Sequence, residues 1–113
     1  MSSRTLYHVT ITSVVAAILD KGIDPDMSQG RQCVSWFVSA KNLTWAIYHV
    51  QKRHRANLGD ITVITAKVSE RQLIKTNRRG VWACRKIQKP ILTIPADMML
   101  EDDAERTLHV PKH

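Results

Sequence analysis

The chain of 113 residues has little of what would mark a disulfide-stapled, membrane-spanning or zinc-bound protein. Its two cysteines, Cys33 and Cys84, lie far apart, which is neither a disulfide framework nor a zinc site of close-spaced pairs. Both are expected as small core or strand residues. His49 and His54 are five apart rather than the four of a helical metal pair, so no metal is expected. No apolar run approaches the roughly 20 residues needed to cross a bilayer, and no basic segment followed by an apolar stretch opens the sequence. A cytoplasmic protein with no membrane partner is therefore expected. Repeats and low-complexity tracts are absent, and acids are scarce, with 10 Asp and Glu against 17 Lys and Arg.

What is present is a composition 43% hydrophobic, enough for one core and too short a chain for two. Residues 1–100 are expected as a single domain, and 101–113, which mix acids, bases and Pro111 without periodicity, as a mobile charged tail. The positive charge is concentrated. From Lys41 to Lys89 there are twelve Lys or Arg against Asp60 and Glu70 alone. Such a block offers a field to polyanions, whether a nucleic acid backbone, a dinucleotide pyrophosphate or an acidic protein surface. Lys52, Arg53, Arg55, Lys75 and Arg78 are its candidate nucleic-acid contacts.

Leu6–Thr10 alternates as a strand, and Thr12 or Ser13 can cap a helix over about Ser13–Lys21 that Gly22 closes. Ile23–Arg31 carries turn chemistry. Cys33–Ser39 reads as a buried strand. Asn42 can cap a second helix, Leu43–His54, with Leu43, Ala46, Ile47, Val50 and His54 recurring at three and four residues and Trp45, Tyr48, His49 and Lys52 on other faces. Ile61–Val68 is a β-branched run. Ser69 with Gln72 has capping-box spacing for a single turn before the basic segment Lys75–Arg79. Gly80–Cys84 and Ile91–Ile94 complete the strands. The order predicts an α+β domain with a small mixed, curved sheet and two main helices.

Three pieces stand in a telling order: Leu-Tyr-His-Val-Thr at Leu6–Thr10, Ile-Leu-Asp-Lys-Gly-Ile-Asp-Pro at Ile18–Pro25, and Gly-Val-Trp at Gly80–Trp82. Together they resemble the catalytic lobe of the RNA 2'-phosphotransferases in the ADP-ribosyltransferase-like superfamily. That family reads a strand ending in Leu-Tyr-His-Gly-Thr, a short helix running into Glu-Gly-Leu-x-Pro, an extended segment, a second helix and a late Gly-Val-Trp strand. The resemblance spans about Leu6 to Ile94 and does not reach the family's N-terminal winged-helix lobe, so 2'-phosphate removal from RNA is not expected without a partner.

The resemblance implies NAD as cofactor and transfer of ADP-ribose to a nucleic acid or protein acceptor. It implies His8 and Arg31 as catalytic residues and His8 and Thr10 as cofactor contacts. The chain's own residues add Arg79 as a candidate catalytic cation for phosphate, Ser35 and Trp82 as candidate cofactor contacts, and Trp36 or Phe37 as the aromatic to stack on nicotinamide. A neutral imidazole suits ribose because it donates to one hydroxyl and accepts from another without a desolvated charge, while a guanidinium holds phosphate by a bidentate fork. The chain departs from the family at Val9, where Gly is usual, at Arg79, where Asn is usual, and in Val34–Ser39, where Ser35 or Phe37 replaces a His. A catalytically inactive module that holds nucleic acid or a partner in a basic groove is the alternative.

Overall fold

A computed structural model describes residues 2–27 and 33–99. Arg31 and the segment 101–113 lie outside the described residues. The strands are β1 (Ser3–Ile11), β2 (Ser35–Val38), β3 (Ile61–Ser69), β4 (Leu73–Lys75), β5 (Val81–Cys84) and β6 (Pro90–Pro95), and the two main helices are α1 (Val15–Lys21) and α2 (Leu43–His54). They form one six-stranded sheet in the order β4-β5-β2-β1-β3-β6.

The expected α+β class and both helices are present, but the sheet is antiparallel at every described pairing rather than mixed. Pairing direction depends on which distant segments meet, a property that no local pattern carries. β4, three residues long, was not expected. It forms because Leu73, Ile74 and Lys75 pair with Cys84, Ala83 and Trp82.

The curvature follows from chain length. β3 ends at Ser69 and β4 begins at Leu73, yet β4 is four strands away in the sheet. A flat sheet would separate them by about 19 Å, whereas four residues reach at most about 14 Å. The sheet must therefore curl, and it curls around the face on which Leu6, Phe37, Ile64, Ala66, Val68, Cys84 and Leu73 pack with Ile18 of α1. A 3-10 turn, Glu70–Gln72, makes the crossing. The opposite face carries Val38, Ile61, Val63 and Val81 against Leu43, Ala46 and Ile47 of α2. Each of the larger apolar side chains sealed in these clusters contributes about 1.5–3 kcal/mol by burial.

Helix α2 starts and stops where its apolar periodicity does, and Arg55 ends it in the left-handed conformation (φ 51, ψ 40). The expected caps are replaced. Thr12 shares a hydrogen bond with Thr62 at 2.8 Å instead of capping α1, which is preceded by a 3-10 turn over Thr12–Val14. Asn42 makes no cap because its Oδ1 accepts from Arg78 Nε at 3.3 Å, while its amide donates to Ser39 Oγ and to the Arg79 carbonyl, both at 3.1 Å. The turn at Glu70–Gln72 forms without a side-chain cap from Ser69. Pro90 and Pro95 bracket an edge strand, where a missing amide costs least.

No helix of the described residues is long and apolar enough to cross a membrane. Both cysteines are free, Cys84 buried and Cys33 exposed.

Candidate functional site at the seam of the sheet

β1 pairs with β3 along its whole length, from Ser3↔Ser69 to Ile11↔Ile61. With β2 it shares one registered pair, Tyr7↔Val38. The sheet is thus two three-stranded halves, β4-β5-β2 and β1-β3-β6, meeting at a narrow seam.

His8 lies at that seam. Its Nδ1 is 2.8 Å from the backbone oxygen of Trp36, so a carbonyl that a continuous ladder would give to a strand amide is taken by an imidazole. A carbonyl only accepts, so Nδ1 carries the proton and, in the neutral ring, Nε2 keeps its lone pair. No described residue pairs with Nε2. Burial pushes the His8 pKa below its ordinary value, and the hydrogen bond to Trp36, which favours the charged ring, offsets this in part. The ring centroid is 5.6 Å from that of Phe37, tilted by 46°.

Side chains opposite one another in an antiparallel pair share a face, so the register decides which of the expected site residues can act together. Thr10 lies two residues along β1 from His8, on the same concave face and half-buried. Phe37 is opposite Trp82, and Ser35 is opposite Cys84, so these too lie on His8's side. His8, Phe37 and Trp82 form a row across β1, β2 and β5. Phe37 is sealed in the core, Ser35 is also buried, and Trp82 is half-buried with the Arg4 guanidinium 5.3 Å from its ring centroid. Arg4 in turn donates to Glu70 at 2.8 Å. The Arg4–Trp82 contact was not expected, since it joins residues at opposite ends of the sequence.

Trp36 does not share His8's face. Its indole lies on the opposite side of the sheet, exposed, lining an open depression with Val34, Ile74, Lys75, Ala83 and Arg85. What Trp36 gives the seam is its backbone oxygen. Arg78 and Arg79 are also elsewhere: the turn that carries them is fastened to the start of α2 through Asn42. Gly80 closes it at φ 81, where a β-carbon would collide with the Asn42 amide and approach Ser39 Oγ to 2.8 Å. Lys52 and Arg53 occupy the last turn of α2 and Arg55 follows it, all exposed and away from the seam. The structure therefore brings together His8, Thr10, Ser35 and Trp82, with Lys75 opposite Trp82 in the β4–β5 register, and separates them from Trp36, Arg79 and the α2 cations. Among the described residues no cluster of three or more His, Cys, Asp or Glu is placed to hold a metal ion.

Comparison of the chain with protein-family models, with curated proteins and with solved structures gives no match.

Proposed function

We propose that this chain is an ADP-ribosyltransferase-like domain that binds NAD on the concave face at the seam and transfers ADP-ribose to a nucleic acid or protein acceptor. The observation that carries the reading is the placement of His8, whose Nδ1 donates to the Trp36 carbonyl at 2.8 Å and so leaves Nε2 of the neutral ring open as an acceptor. The element order supports it as well. The Leu-Tyr-His-Val-Thr strand is followed by a helix closed at Gly22, a strand, a second helix and the strand that begins after Gly80, as in the family that the sequence resembles.

The residues on the concave face fit the ribose and nicotinamide end of the cofactor. Nε2 of His8 accepts from a ribose hydroxyl, and the Thr10 hydroxyl both donates and accepts beside it. Burial lowers the imidazole's pKa and so favours the uncharged ring, which does not repel positive charge developing on the sugar. NAD supplies an ADP-ribosyl group whose bond to nicotinamide breaks as the acceptor's oxygen or nitrogen bonds the ribose carbon and releases its proton to solvent. Trp82 offers the apolar wall, although Arg4 already lies over its ring.

One observation favours the second reading, a silent module that holds nucleic acid or a protein partner. Among the described residues no carboxylate pairs with His8, and Glu70 is engaged by Arg4, so no described acid stands ready to stabilise the developing cation. Incubating the protein with labelled NAD, alone and with nucleic acid or protein, separates the readings. Release or attachment of label that is lost in His8→Ala supports the enzyme. NAD left intact in every mixture supports the module.

A further inference from the structure

The face of α2 turned away from the sheet carries Trp45, Tyr48, His49 and Lys52, spaced so that they stack along one side of the helix. Trp45 belongs to neither core cluster and is 36% exposed, and Tyr48 is 56% exposed. Trp45 is nevertheless not loose on the surface. The Trp45 ring lies against that of His49, with centroids 5.3 Å apart and planes 21° from parallel. On Trp45 the guanidinium of Arg78 sits 4.0 Å from the ring centroid.

Arg78 is itself held. Its Nε donates to Asn42 Oδ1 at 3.3 Å, and its backbone amide donates to Thr76 Oγ1 at 3.2 Å. Thr76 in turn donates to the Val81 carbonyl at 2.7 Å. A turn distant in sequence is thus fastened to the first turn of α2, and the product is a fixed column of guanidinium, indole and imidazole. Exposed Lys41 and Arg79 lie at the Arg78 end and exposed Lys52 at the other, and α2 contains no acid. Nε is engaged, but the terminal N–H groups of Arg78 remain for a phosphate fork.

We propose that this column is a docking platform for single-stranded nucleic acid, separate from the seam and independent of NAD. Unpaired bases stack on Tyr48 and on the His49 end of the column, while Arg78, Lys52 and the flanking cations follow the phosphates. Fixed aromatic faces alternating with cations are what single strands require, since every base has a stacking face and the backbone carries the charge. An acidic protein would use the cations but leave the ordered aromatic stack without a purpose. A duplex hides its base faces.

The test measures binding of a labelled single-stranded oligonucleotide of about a dozen nucleotides by fluorescence anisotropy, without NAD. Parallel arms use RNA, DNA, the matching duplex and polyglutamate. The proposal expects single strands to bind more tightly than the duplex or polyglutamate, with RNA and DNA distinguishing which sugar is preferred. Trp45→Ala with Tyr48→Ala should weaken single-strand binding about tenfold or more. Arg78→Ala should weaken it and lower the slope of log affinity against log salt by about one. Tyr48→Ala alone, on a side chain outside the core, keeps the test open where the double variant folds poorly. His8→Ala should bind as the wild type does, so failure of the NAD reading leaves this result untouched. Equal binding of duplex or polyglutamate, or aromatic variants that bind single strands like the wild type, would overturn the platform.

Discussion

The Nδ1 of His8 and the backbone carbonyl of Trp36, 2.8 Å apart, join the two halves of the sheet where their ladder is reduced to one registered pair. This one contact fixes the imidazole's tautomer, spans the seam and leaves the Trp36 indole on the far side. Its consequences reach both stability and ligand chemistry.

The first concerns pH. Burial lowers the folded-state pKa of His8, so below the unfolded value of about 6.5 the unfolded chain binds more protons than the folded one. The contribution of neutral His8 is present above that value and is lost as pH falls through the depressed folded value. Denaturant melts from about pH 8 to about pH 5 should show stability declining on the acid side, and His8→Gln should flatten that decline.

A second prediction separates two neighbours. Phe37 is sealed in the concave core, so Phe37→Ala should cost about 3–5 kcal/mol and leave the protein largely unfolded on heating. Trp36, 43% exposed on the other face, should tolerate Ala with a loss of about 1 kcal/mol or less. Thermal melts of the two variants check the face assignment directly. A large loss at Trp36 and a small one at Phe37 would reverse it.

These two residues also show how much of the molecule was legible in sequence. Leu43–His54 was readable to the residue because its apolar repeat is local, and five of the six strands were readable from β-branched and apolar runs. Val34-Ser35-Trp36-Phe37-Val38 lacks clean alternation, so either aromatic could have faced the ligand until register with Tyr7 and Trp82 set the faces. β4 is too short to have a pattern of its own. Asn42 has the chemistry of a cap, yet a turn 37 residues away competes for its side chain and wins. Of the site, His8 and Thr10 could be named from a local motif. The engagement of Arg4 with Trp82 and of Arg78 with Trp45 could not, because each contact is made by folding.

The end of α1 gives a third prediction. Gly22 has φ 90 and ψ 175, a region closed to other residues, and a β-carbon there would lie 2.7 Å from Ile87 Cγ2 and 3.1 Å from the Gln88 carbonyl oxygen. Its neighbour Ile23 pairs with Gln88 through two backbone hydrogen bonds of 2.7 and 3.1 Å. Gly22→Ala should therefore cost about 1–3 kcal/mol and loosen this bridge, seen as a lower melting temperature and faster amide exchange at Ile23.

The ion pair of Arg4 with Glu70 should matter far less. Its side chains are 53% and 45% exposed, so Glu70→Ala should change stability by about 1 kcal/mol or less, and less still at high salt. A denaturant series at low and high salt measures this.

The central claim, that His8 orients NAD at the seam, is tested most directly by thermal melts of wild type and His8→Ala, each with and without saturating NAD. The wild type should gain stability from NAD. Loss of one hydrogen bond of about 0.5–1.5 kcal/mol should weaken NAD binding by His8→Ala about two- to tenfold, and the NAD-induced rise in melting temperature should shrink accordingly. A wild type that gains nothing from NAD, or a His8→Ala variant that gains as much as the wild type, would contradict the account.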